Sequence, residues 1–150
     1  MQLTGQGSFP TKEIVGIPVW QTASSETLDT PECVAVARCN AINDRADFAF
    51  RVPHDFVSIK SAFIRVIPRA TQAAADWNIY SYYGGLGEHC NIHAESDLVT
   101  TFNVTDGDQF DIDISGILTN LSKDDSVTIR LVEATAGHNF DARDMRFQYA

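Results

Sequence analysis

The feature that most limits what this chain can fold into is an alternation of apolar and polar residues. It begins at Phe48 and recurs almost to the end: Phe48/Phe50/Val52, Ala62/Ile64/Val66, Trp77/Ile79, Phe110/Ile112/Ile114, Val127/Ile129/Leu131 and Met145/Phe147/Tyr149. Successive side chains of a strand point to opposite faces, so each stretch has one face to bury and one to wet. Six such stretches separated by turn residues predict an all-β fold, a two-layer antiparallel β-sandwich.

Along the chain, residues 1–13 read as an extended N-terminal arm. Gly5, Gly7, Ser8 and Pro10 deny it regular structure, and only Leu3 and Phe9 offer anything to bury, which makes these two the candidate intersubunit contacts. Residues 14–150 read as a single domain. Ile14 to Trp20 is a first strand, marked as an edge by Pro18. CVAVARC, ADFAFRV and SIKSAFIRVIP follow as strands, the last being the longest apolar run and the best central strand. RATQAAA reads as a loop, DWNIYSYY as a strand, and GGLGEHCNIHAESD as the longest break in alternation. LVTTFNV and QFDIDI resume the pattern, SGILTNL fits a one-turn helical crossover, and SVTIRLVEAT is a strand. AGHNFDAR reads as a polar turn before the closing strand DMRFQYA. Eight or nine strands with uneven loops suit a single jelly roll better than an up-and-down barrel. The immunoglobulin class is disfavoured, because no paired Cys…Trp…Cys pattern is present.

The length of 150 residues suits one domain with one core. Twenty acidic against eleven basic residues give a net charge of −9, which argues against direct nucleic-acid binding, since that rests on Lys and Arg neutralising phosphates. No apolar run approaches the roughly 20 residues that cross a bilayer, so no membrane partner is expected. MQLTGQGSFP lacks a basic start followed by an apolar core, so synthesis in the cytoplasm without a signal peptide is expected. Cys33 and Cys39 would stand roughly 20 Å apart on one strand, beyond disulfide reach. A bond from either to Cys90 stays open, and free buried thiols are the plainer reading.

Three constellations invite chemistry. His89, Cys90 and His93 are of the types that ligate zinc, yet on a strand the two histidines would lie roughly 13 Å apart, and a polar loop with hydrogen-bonding histidines is the simpler account. Asp106, Asp108, Asp111 and Asp113, with Asp124 and Asp125, suggest structural calcium. Asp111 and Asp113, however, are also the wet face of an alternating strand. No other cofactor is expected. The aromatic group Trp77, Tyr80, Tyr82 and Tyr83 is the candidate ligand platform. Trp77 shares a face with Ile79, so if that face is core, Tyr80 and Tyr82 form an exposed stripe suited to glycan or to a subunit contact. No nucleophile elbow, zinc-protease motif or phosphate loop is present, so no catalytic residue is assigned and the chain is read as a non-enzyme.

FRVPHDFVSIKSAFIRVIP, DWNIYSYYGGLGEHCNIH, DIDISGILTNLSKDDSVTIRLVEA and the closing RFQYA resemble, over residues 48–150, single jelly-roll domains of virion-associated proteins, namely tailed-phage decoration and fibre-like appendage proteins. The shared elements are a turn, Val52-Pro53-His54-Asp55-Phe56, that opens a long strand, and Lys123-Asp124-Asp125-Ser126-Val127, where Asp124 stands at an expected glycine. The resemblance implies a structural protein on a virus or phage particle, a capsid decoration or outer shell protein in many copies. Its partners would be other capsid proteins and further copies of itself, as a homotrimer at the particle surface. The first 37 residues carry Lys12 as their one basic residue, which fits a solvent-facing shell better than one lining a genome. The alternative is a carbohydrate-binding β-sandwich module serving adhesion or host recognition, with Tyr80, Tyr82 and the 84–97 loop presented to the sugar.

Overall fold

A strand with one apolar face is stable only when that face meets another layer, and here two antiparallel sheets provide it for each other. The structure, a computed structural model, describes residues 10–22, 37–98 and 101–150. Its strands are β1 Lys12–Gly16, β2 Pro18–Thr22, β3 Ala37–Cys39, β4 Arg45–Arg51, β5 Ile59–Pro68, β6 Gln72–Gly84, β7 His93–Asp97, β8 Thr101–Val104, β9 Phe110–Asp113, β10 Ser126–Glu133 and β11 Phe140–Tyr149. One 3-10 turn, Ser115–Ile117, carries the chain between β9 and β10.

In the first sheet β11 lies beside β5, and β5 beside β9, while β1 and β3 share the other edge of β11 end to end. The second sheet runs β2, β4, β10, β6, β7, with β8 continuing the register of β7 along β6. The described segments therefore occupy nine strand positions. From β3 onward the first strand lies beside the last and the hairpin β6–β7 closes the second layer, which is jelly-roll connectivity.

Several elements depart from the sequence expectation. Ile14 to Trp20 is two strands, because the chain leaves β1 at Gly16 and joins the opposite sheet as β2 at Pro18. Pro18 has no N–H with which to continue a ladder, so a change of layer there costs no hydrogen bond. Lys12 and Glu13 belong to β1 and not to an arm, whereas Leu3 and Phe9 lie outside the described residues. Gln72 to Ala75, expected in a loop, is the first part of β6 and pairs with β8. His93–Asp97, inside the expected break, is a strand. It lacks an apolar alternation because it lies at an edge, held by main-chain bonds to β6. Asp124, at φ 68°, adopts the left-handed conformation that glycine would supply and aspartate tolerates.

The core is the meeting of the two inner faces. Ile64, Ile112, Met145 and Phe147 come from the first sheet, and Phe48, Trp77, Ile79, Ile129 and Leu131 from the second, all buried. Trp77 packs against Phe102 and Phe140 at centroid distances of 5.6 and 5.3 Å. Phe147 gathers Phe50, Phe56 and Tyr149 at the opposite end. Cys39 is buried and free, and burial pushes its thiol pKa up; Cys90 is free but exposed, contrary to the expectation of buried thiols throughout. Cys33 lies outside the described residues. No helix among the described residues is long and apolar enough to cross a membrane.

Candidate functional site

Strand alternation puts Ala75, Trp77, Ile79, Ser81 and Tyr83 of β6 inward, and therefore Asn78, Tyr80 and Tyr82 outward. Register then sets the outer face of the second sheet in rows across β4, β10, β6 and β7. One row is Ala49, Thr128, Tyr82, Ala94; the next is Asp47, Arg130, Tyr80, Ser96. The two tyrosines, both half-buried, thus have Ala94 and Ser96 beside them on β7 and Thr128 and Arg130 on β10. Their rings are parallel to within 7° and 6.3 Å apart.

Arg130 closes one side. Its guanidinium lies 5.5 Å from the Tyr82 ring centroid and binds Asp47 through Nε and Nη2, both at 2.9 Å. A planar fork on a carboxylate fixes the arginine, and its face on the ring fixes Tyr82. Neither Arg130 nor Asp47 was picked out from the sequence. The one signal is their place on the polar side of two alternating strands, and only strand register shows that they meet.

Trp77 and Tyr83 do not join this platform. Trp77 is 1% exposed in the core, its indole N–H donating to the His138 carbonyl. Tyr83 is fully buried; its hydroxyl donates to Glu95 at 2.6 Å and accepts from the Asn120 N–H at 3.1 Å. Burial, reinforced by the Glu95 carboxylate, pushes Tyr83 up to about 12. Burial pushes Glu95 the other way from its hydrogen bonds, but those from Thr119 and Tyr83 prevail and hold it below the ordinary carboxylate range. The network ties edge strand β7 to the segment after the 3-10 turn. Both aromatics are inward because they sit an odd number of residues from Tyr80 and Tyr82, respectively, in one unbroken strand.

The remaining candidates separate. His89 and Cys90 lie in the exposed turn 85–92, where His89 bonds Asn91, whereas His93 stacks on Tyr83 at 5.2 Å from within β7. Among the described residues no group of three His, Cys, Asp or Glu could hold a metal ion. Four of the aspartates considered for calcium are engaged one by one. Asp111 takes the Arg65 fork at 2.7 and 2.8 Å, which lowers its pKa. Asp113 accepts from the backbone and hydroxyl of Ser115, Asp124 binds His54, and Asp125 accepts the Ser122 N–H. Asp106 and Asp108 flank Gly107 in an exposed turn.

No family model matches the chain, and no curated protein matches it. These comparisons therefore show no resemblance to virion proteins. Among solved structures, the chain is similar to the CBM36-1 domain of a multidomain xylanase from the hindgut metagenome of Trinervitermes trinervoides. That match has a TM-score of 0.48 and 9% identity, covering 91% of this chain and 96% of that one. A likeness of this size carries no ligand and no site residue across.

Proposed function

We propose that this chain is a non-catalytic carbohydrate-binding β-sandwich whose site is the outer face of the second sheet. The observation that carries the reading is the parallel pair Tyr80 and Tyr82, 6.3 Å apart and half-buried on the outer face among Ala49, Ala94, Ser96 and Thr128. The negative face of an aromatic ring attracts the electropositive C–H bonds on the flat side of a sugar, and the tyrosine hydroxyl remains for the sugar's own hydroxyls. Arg130 and Asp47 add fixed polar groups at the margin. Small flanking side chains leave a sugar room to lie down. The nearby carboxylates Asp47 and Glu95 are committed to ion pairing or hydrogen bonding, which suits holding a shape more than moving protons.

The test is affinity electrophoresis and calorimetry against cellulose, xylan and starch and their hexasaccharides. At least one sugar should bind, and Tyr82→Ala should abolish that binding while leaving the melting temperature within a few degrees. Wild-type binding by Tyr82→Ala, or no glycan bound at all, refutes the reading.

A second reading, an outer shell or decoration protein present in many copies, draws on a different observation. Val15, Ile17 and Val19 are 59%, 69% and 58% exposed where the chain crosses between sheets, an apolar strip of the kind that subunits cover. Light scattering that returns a trimer, disrupted by Ile17→Lys, would favour it; a monomer at high concentration removes it.

A further inference from the structure

The tyrosine platform has a closed end. Gly84 is the next outward position of β6 beyond Tyr82, opposite Ser126 of β10. A Cβ placed there would lie 2.5 Å from the His89 carbonyl oxygen and 3.1 Å from Ile92 Cγ2. The turn 85–92 therefore folds down onto the outer face of the sheet, directly past the second ring. It is a built turn: the Glu88 N–H donates to the Gly85 carbonyl at 3.1 Å, the Ile92 N–H to the His89 carbonyl at 3.0 Å, and the Gly85 N–H to the Glu88 side chain at 2.8 Å. Leu86, His89 and Ile92 of this turn are exposed. In the other direction β6 continues its outer face through Asn78 and Asp76.

From this we infer that the site takes the terminus of a glycan chain and not its interior, with the 85–92 turn as the wall against which the last sugar rests. The inference builds on the carbohydrate-binding reading. Two parallel rings two residues apart on one strand set the ligand's path along β6, and a chain on that path meets backbone just beyond Tyr82. A terminal sugar ends there without a clash, and Ile92 and His89 offer it one apolar and one polar contact. Gly84 is required by this closeness, since any side chain would strike a carbonyl that the turn's own hydrogen bonds hold in place.

Terminus binding has a readout that platform binding alone does not. Whichever of cellulose, xylan or starch the protein binds is cut partially by an endo-acting hydrolase, which multiplies chain ends at nearly constant mass. The amount of protein bound per gram at saturation should rise in proportion to the ends. Ile92→Ala lowers the wall without touching the backbone and should weaken hexasaccharide binding by about tenfold. Gly84→Ala, which displaces the turn, should do so more strongly, with circular dichroism checking that the sheet signal is kept. If capacity follows mass and ignores the number of ends, or if Ile92→Ala binds the hexasaccharide as wild type does, the inference falls while the carbohydrate reading stands. If no glycan binds, both fall together.

Discussion

Glu133 is the residue whose perturbation should be read most cleanly. It points inward from the end of β10 and is fully buried. With its amide turned so that nitrogen faces the carboxyl, Asn139 donates to both Glu133 oxygens at 2.9 and 3.2 Å. Burial is the main reason its pKa rises from 4.5 to about 7; the Gly137 backbone N–H opposes the rise and the nearby Asp44 adds to it. The unfolded chain titrates near 4.5, so between that pH and 7 the folded state holds the proton more tightly. Stability is then greatest below about 4.5 and falls as pH climbs to 7, after which this group contributes no further change. A rise from 4.5 to about 7, at about 1.4 kcal/mol per pH unit, is worth about 3.5 kcal/mol, an upper figure for a buried group. Glu133→Gln keeps the shape and removes the titration. Urea unfolding followed by tryptophan fluorescence from pH 4.5 to 8 measures both proteins, and other titrating groups cancel in their difference. The variant should match wild type near pH 4.5 and exceed it by up to about 3.5 kcal/mol at pH 8. A difference that stays constant across this range would falsify the assignment of a buried, protonated Glu133.

Other substitutions probe the scaffold around the site. Trp77→Ala should cost about 3–5 kcal/mol in urea unfolding, because it empties a packed core site, whereas Tyr80→Ala should cost under about 1 kcal/mol. A larger cost for Tyr80→Ala than for Trp77→Ala would mean the face assignment of β6 is inverted, and equal costs would refute the distinction between the faces. Tyr83→Phe removes the donor to Glu95 and should lose about 2 kcal/mol, with the Glu95 carboxylate titrating at higher pH by NMR. Asp141, 1% exposed, accepts Arg38 at 2.9 and 3.3 Å and Arg69 at 3.4 Å, so Asp141→Asn should destabilise by about 3 kcal/mol. A loss below about 0.5 kcal/mol would show that this paired carboxylate is a bystander.

The amino-acid pattern by itself determined the fold class and much of the core. Phe48, Ile64, Trp77, Ile112, Ile129 and Phe147 fall on apolar faces because strand geometry leaves no other place for them. It also separated Tyr80 and Tyr82 from Trp77 by parity alone. Alternation is a local signal, so it failed where burial or pairing is set from outside. His93–Asp97 is a strand because β6 offers free main-chain groups at its edge, and Gln72 to Ala75 because β8 does the same. Tertiary structure alone decided which rows cross the sheet, and so which residues meet: Arg130 with Tyr82 and Asp47, or the 85–92 turn with Gly84. Those contacts span 83 residues in one case and five in another. They depend on register, which the hydrophobic period constrains in parity but not in position.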